Sequence, residues 1–232
     1  MLLAGGTRKR RTTLRSVVRF VAAVMTTSGV LLLADAGVTL AWQEPISAVL
    51  ALQDQAKLED QFDEKLDAPR EGNRQQGGDE LTDAELEKLA EDYADEVGTG
   101  EAWGRIEMPT LDKEYVAVEG TDQATLQQGP GHYPETALPG EGRTVAIAGH
   151  RTTYLAPFRY IDQLGEGDEI VIEMPWARFT YEFEEQQIVE PSQTEVTDTV
   201  GHERLVLTAC HPLYSAAQRI VVFAKLEDVK PT

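Results

Sequence analysis

The sequence predicts a mainly β domain, a barrel or sandwich with short helices, from about residue 101 to the C-terminus. It is preceded by a membrane-inserting helix and an acidic, partly helical spacer. Three observations carry this. Short strand-like runs recur from Trp103 onward between Gly, Pro and Asp turn signals. An uncharged run, Phe20 to Ala34, follows a basic cluster. Between them lies a stretch rich in Asp, Glu and Gln that has too little apolar surface for a core.

Residues 1–16 read as a basic cytoplasmic tail containing Arg8, Lys9, Arg10, Arg11 and Arg15, and residues 17–42 as a transmembrane anchor or signal-like segment. Basic residues stay on the cytoplasmic side during insertion, so the chain beyond the span is exported. The uncharged run is shorter than the ~20 residues a spanning helix needs. The span therefore takes in Arg19, Asp35 or both near its ends, where Arg19 can snorkel. Ala34 and Ala36 in "LLADAG" also fit a cleaved signal peptide. Apolar residues resume as far as Trp42, which favours the anchor.

Residues 43–100 read as a solvated acidic spacer. "EPISAVLALQDQAKLEDQFDEKL" and "LTDAELEKLAEDYADEV" are helix-compatible, the second with Thr82 or Asp83 as N-cap, and "DAPREGNRQQGGDE" breaks them. Neither stretch is apolar enough to build a core.

The strand-like runs of the C-terminal domain are "WGRIEMP", "EYVAVEG", "RTVAIAG", "DEIVIEM", "RFTYEFEE", "QQIVEP", "RLVLTAC" and "RIVVFAKL". "TVAIAG", "RLVLTA" and "RIVVFA" are apolar on both faces, as central strands are, whereas "RFTYEFEE" alternates and predicts one wet face. A short helix is expected within "TTYLAPFRYIDQL".

The formal charge of -19, with no long basic patch after residue 20, argues against nucleic-acid binding. The single cysteine, Cys210, cannot form an internal disulfide. It closes the strand "RLVLTAC", and Arg219 opens the next, with the eight residues "HPLYSAAQ" between them. Consecutive strands joined this way are expected to pair antiparallel, which places thiol and guanidinium on one rim. His150 ends "TVAIAGH" and reaches the same rim if its strand runs parallel to the cysteine strand. A sulfur nucleophile, an imidazole acid/base and a cation for the oxyanion suit acyl transfer. An isolated buried cysteine is also common as core packing.

"GHYPETALPG", "TALPGEGRTVAIAGHR" and "LTACHPLYSAAQR" together resemble the sortase family of Gram-positive cell-surface cysteine transpeptidases, over about residues 103 to 228. "AGHRTTYLAPF" and "CHP" are most similar to its class E branch from actinobacteria. The resemblance implies an eight-stranded sortase-type β-barrel, with His150 as acid/base, Cys210 as nucleophile and Arg219 steadying substrate and oxyanion. It implies no required organic cofactor. The groove candidates are Thr208, Ala209, Tyr133 and Tyr154, with Ala209 standing where the family has a threonine. The implied partners are exported proteins bearing an L-A-x-T-G or L-P-x-T-G sorting signal, cleaved between Thr and Gly. The acceptor is a peptidoglycan-precursor amine or, in a pilus enzyme, a pilin lysine.

Of the other histidines, His211 should face away from the thiol, because adjacent side chains on an extended segment point oppositely. His132 sits in a Gly/Pro loop and His202 in a polar turn, with no metal-ligand spacing among them. A papain-like Cys/His peptidase would place its cysteine before its histidine and at a helix start, which this chain does not do. An inactive surface-anchored binding module is the non-enzymatic alternative.

Overall fold

The computed structural model describes residues 7–41, 45–68 and 81–232. The chain divides into two units, one ending at Pro45 and one spanning Ile46–Thr232. The break "PREGNRQQGGDE" and the segment at Trp42 lie outside the described residues, as do the side chains of the basic tail before Arg15.

In the first unit, α1 (Thr7–Ala41) is one helix, and from Arg15 to Gly37 it is long and apolar enough to cross a membrane. Twenty-three residues at 1.5 Å each reach about 35 Å, enough for the hydrocarbon core with Arg19 and Asp35 toward the ends. Phe20, Met25 and Leu33 on this helix are exposed.

The second unit is a closed eight-stranded barrel with strand order β1-β2-β3-β4-β7-β8-β6-β5, so the sandwich is set aside. The strands are β1 (Ala102–Met108), β2 (Lys113–Glu119), β3 (Gly131–His132), β4 (Thr144–Gly149), β5 (Glu169–Glu173), β6 (Ala177–Val189), β7 (Arg204–His211) and β8 (Gln218–Pro231). Three elements differ from expectation. "RFTYEFEE" and "QQIVEP" form one strand, β6, whose register on β8 shifts between Phe183 and Glu185; an extra residue there keeps pairing but breaks the alternation. β3 has only two residues and no sequence signature. A Cβ on Gly131 would sit 2.2 Å from the Gly120 carbonyl oxygen, so this close approach requires glycine. In "TTYLAPFRYIDQL" the expected helix is a single 3-10 turn, Ile161–Gln163.

The central strands divide their side chains as a period of two demands. Val145, Ile147, Leu205, Leu207, Ala209, Ile220 and Val222 point into the main core. Ala146, Val206, Val221 and Phe223 form a separate apolar layer on the outer face with Val189.

The spacer reading is corrected for its two helices. In α2 (Pro45–Asp67), Leu58 and Phe62 are buried against Ala102, Val116 and Val118 of the barrel. The Gln55 side chain accepts from Val116 N and donates to Val116 O and Gln128 O, completing the backbone pairing there. Arg105 of β1 pairs with Glu59 and Asp63, giving the helix charges barrel partners. In α3 (Asp83–Glu96), Thr82 forms a capping box with Glu85, and Leu86 and Ala90 enter the main core. A few apolar positions suffice because the barrel supplies the opposing surface, and composition alone does not show that surface.

Phe62→Ala should therefore destabilise the protein by about 3–5 kcal/mol, the usual cost of emptying a fully buried aromatic site. Chemical denaturation measures this. A change within about 0.5 kcal/mol, typical of an exposed position, would restore the solvated-spacer reading.

Candidate active site

Three adjacent strands meet at one end of the barrel. β7 pairs antiparallel with β8, and Cys210 lies directly opposite Arg219. β4 runs parallel to β7 with Gly149 beside Ala209, so His150, the next residue, emerges beside Cys210. Val189 of β6 lies opposite Arg219 on the other side. Cys210 shares the outer face of Val206 and Thr208, and Arg219 that of Val221 and Phe223, by strand alternation. The rim therefore carries imidazole, thiol and guanidinium in a row at the end of the outer apolar layer.

Gly149 is needed here, because a Cβ would come within 2.4 Å of the Phe158 ring. Phe158 is fully buried, and its amide donates to the His150 carbonyl at 3.0 Å, so the loop folds back under the histidine. Tyr154, Leu155 and Ala156 in that loop all have positive φ, at 50°, 62° and 45°. Three non-glycine residues in the left-handed region store strain, which persists only where the surroundings enforce it. One enforcing contact comes from α2: the Tyr154 amide donates to Ser47 Oγ at 3.4 Å. The Tyr154 ring lies 5.2 Å from that of His150.

His150 Nε2 is buried and makes no hydrogen bond to any described residue. Buried polar atoms are nearly always paired, so an unpaired imidazole nitrogen beside a thiol marks a group held ready for a partner. Burial also pushes the His150 pKa below its ordinary value, because the low-dielectric surroundings penalise the charged ring. Arg219 donates to the carbonyls of Ala216 and Gln218, at 3.0 and 2.9 Å, which fixes the guanidinium at the start of β8. Cys210 is a free, half-buried thiol.

The groove candidates divide. Thr208 faces outward, and its Oγ1 shares a 2.9 Å hydrogen bond with the Tyr133 hydroxyl, which packs on the outer layer. Tyr154 stands by the histidine. Ala209 does not belong with them: it is buried in the barrel core with Leu207 and Ile220, facing away from the groove side. A methyl there packs, and no groove hydroxyl is lost by the departure from threonine. His132 supports the wall from behind, its Nδ1 2.8 Å from Glu119 Oε2 and its Nε2 2.9 Å from the Ala137 carbonyl.

Arg151 is a buried link beside the site that sequence reasoning does not reach. Its buried guanidinium donates to the Cys210 carbonyl at 3.4 Å, to His211 Nδ1 at 3.2 Å and to the Arg159 carbonyl at 3.3 Å, and pairs with Asp162 at 2.9 Å. It ties the loop after His150 to the backbone of β7 at Cys210. His211 accepts this bond and so serves the scaffold. The only sequence signal is a charged residue next to the histidine; its partners are distant carbonyls.

The architecture is that of a closed β-barrel in which three adjacent strand ends bring one cysteine, one histidine and one arginine together. Residues 106–227 match the family model for the Sortase domain, and the chain belongs to the sortase family. It is 35% identical to Sortase D of Bacillus subtilis over 132 residues, covering 55% of this chain and 65% of that protein. It is 31% identical to Sortase SrtE1 of Streptomyces coelicolor over 148 residues, 57% of this chain and 42% of that one. The chain thus spans less than two thirds of these relatives' lengths. The solved structure of a Clostridium perfringens Sortase D5 transpeptidase superposes with a TM-score of 0.62 at 27% identity, over 76% of this chain and 99% of that chain. Relatives named D and E both appear, so the likeness is not confined to class E.

The sign of the His150 shift gives a test. A folded-state pKa below the ordinary value of ~6.5 means that stability linked to this ring is present above ~6.5 and lost as pH falls. An NMR titration should find the His150 midpoint below ~6.5, and Tyr154→Ala, by admitting water, should move it upward. A midpoint above ~6.5 in the unaltered protein would contradict a downward shift from burial.

Proposed function

We propose that this chain is a membrane-anchored cysteine transpeptidase acting on the C-terminal sorting signals of exported proteins. The carrying observation is the register that sets His150, Cys210 and Arg219 side by side on three paired strands. Cys210 attacks the carbonyl of the Thr–Gly bond, losing its proton to the neutral His150, and Arg219 stabilises the oxygen as it becomes negative. His150 then protonates the departing glycine amine, leaving a thioester on Cys210. An acceptor amine, from a peptidoglycan precursor or a pilin lysine, attacks the thioester and releases the joined product. The outer apolar layer of Ala146, Val206, Val221 and Phe223, walled by Tyr133 and Thr208, supports an extended apolar signal lying on the sheet and leading to the thiol.

In this reading α1 holds the protein in the membrane with its basic end inside, and α2, α3 and the barrel form the external catalytic body. The resemblance favours an L-A-x-T-G signal.

Cys210→Ala and His150→Ala should each abolish cleavage of a sorting-signal peptide while the fold is kept. Arg219→Lys retains charge but loses the planar donor fork, so turnover per folded molecule should fall by about 10²–10³, the scale of removing one oxyanion donor. Near-normal turnover in any of these variants would overturn the mechanism. Paired L-A-x-T-G and L-P-x-T-G peptides in the same assay decide the signal preference.

A further inference from the structure

Backbone pairing between β4 and β7 ends at Gly149 and Ala209, one residue short of His150 and Cys210. On its other side Cys210 stays paired, opposite Arg219 of β8. The two groups of the proposed mechanism therefore have unequal support. Cys210 lies within a strand, whereas His150 opens a loop that holds Tyr154, Leu155 and Ala156 in the left-handed region. Residues keep that conformation only where their surroundings enforce it. Within the loop, the Phe158 amide donates to the His150 carbonyl at 3.0 Å and Arg159 Nη1 to the Arg151 carbonyl at 3.5 Å. These bonds close the loop on itself and do not reach β7.

The Arg151 side chain does reach it. Nη1 donates to the Cys210 carbonyl at 3.4 Å and to His211 Nδ1 at 3.2 Å. Nε and Nη2 donate to the Arg159 carbonyl at 3.4 and 3.3 Å, and Nη2 pairs with Asp162 at 2.9 Å. One planar group thus bonds the far side of the loop and β7, at the carbonyl that follows the last residue of β7 paired with β4. The Arg151 side chain is 2% exposed and that of Asp162 45%. A cation buried with one half-hydrated counter-ion costs more than an apolar side chain of the same volume, so stability does not account for it. Lysine is no substitute, because a point charge has no fork to span the Cys210 and Arg159 carbonyls.

We propose that Arg151 is a positioning residue for the reaction: by fastening the loop after His150 to the Cys210 carbonyl, it sets the separation of imidazole and thiol that proton transfer needs. The proposal rests on the reading of His150 as acid/base and Cys210 as nucleophile, and adds what fixes the distance between them where the sheet no longer does. A misplacement of about 1 Å costs a catalytic step on the order of 10²-fold. Arg151 is buried and bonded to protein on every side described, so it acts through His150 and Cys210 rather than on the substrate. Its contribution therefore belongs to kcat and not to KM.

The test uses the detergent-solubilised full chain, with a sorting-signal peptide as substrate and turnover expressed per folded molecule. Arg151→Lys keeps the charge and its pairing with Asp162 but loses the fork. It should lower kcat by about 10- to 10²-fold and leave KM within about twofold. By loosening the loop it should also admit water to His150, so the NMR titration midpoint of that ring rises toward its ordinary value at unchanged net charge. Asp162→Ala removes one anchor at a half-exposed carboxylate, and kcat should fall by about two- to fivefold, the size of a part-exposed ion pair. This variant decides the matter if Arg151→Lys does not fold. Unaltered turnover per folded molecule, a loss confined to KM, or a fallen kcat with an unmoved His150 midpoint would each overturn the proposal. His150→Ala in the same assay separates the two readings. Near-normal turnover there sinks the acid/base assignment and this proposal with it, whereas its loss there beside unaltered Arg151 and Asp162 variants removes only the proposal.

Discussion

The parallel pairing of β4 with β7 is the constraint on which the rest depends. A parallel pair cannot be closed by a hairpin; it needs a long crossover, supplied here by the segment that carries β5 and β6 around the barrel. The pairing holds because Val145, Ile147, Leu205 and Leu207 fill the core while Ala146 and Val206 fill the outer layer. Strands buried on both faces cannot slip by one residue without turning every side chain to the wrong side. Register is thereby set, and it puts His150 next to Cys210.

From that register the site's electrostatics follow. The loop that carries His150 is folded beneath it by Phe158, closed over by Tyr154 and fastened to Ser47 of α2. Burial pushes the imidazole pKa below its ordinary value, because it disfavours the charged ring. Arg151 holds the same loop to the Cys210 carbonyl through a guanidinium whose charge is matched by Asp162, so the backbone at Cys210 and the loop after His150 are tied together.

Much of this is legible in the sequence, and the exceptions have identifiable causes. The apolar runs of β4, β7 and β8 and the antiparallel placing of Cys210 opposite Arg219 follow from strand period and loop length. β3 escapes because two residues carry no period, and β6 reads as two strands because a bulge interrupts its alternation. Ala209 is no groove residue, and the rule that turns His211 away from the thiol turns Ala209 inward as well. α2 reads as solvated spacer because its burial depends on Val116 and Val118, about a quarter of the chain away in sequence. Arg151 has no local signature, since buried guanidinium partners are set by tertiary structure.

The central claim is that the β4–β7–β8 register assembles a working nucleophile at Cys210. Intact-protein mass spectrometry after brief incubation with a sorting-signal peptide tests this most directly. The expected result is a mass increase matching the peptide acylated through its threonine, localised to Cys210, reversed by hydroxylamine and absent in His150→Ala. A protein that cleaves the peptide with no adduct on Cys210, or whose adduct forms equally well without His150, would contradict it.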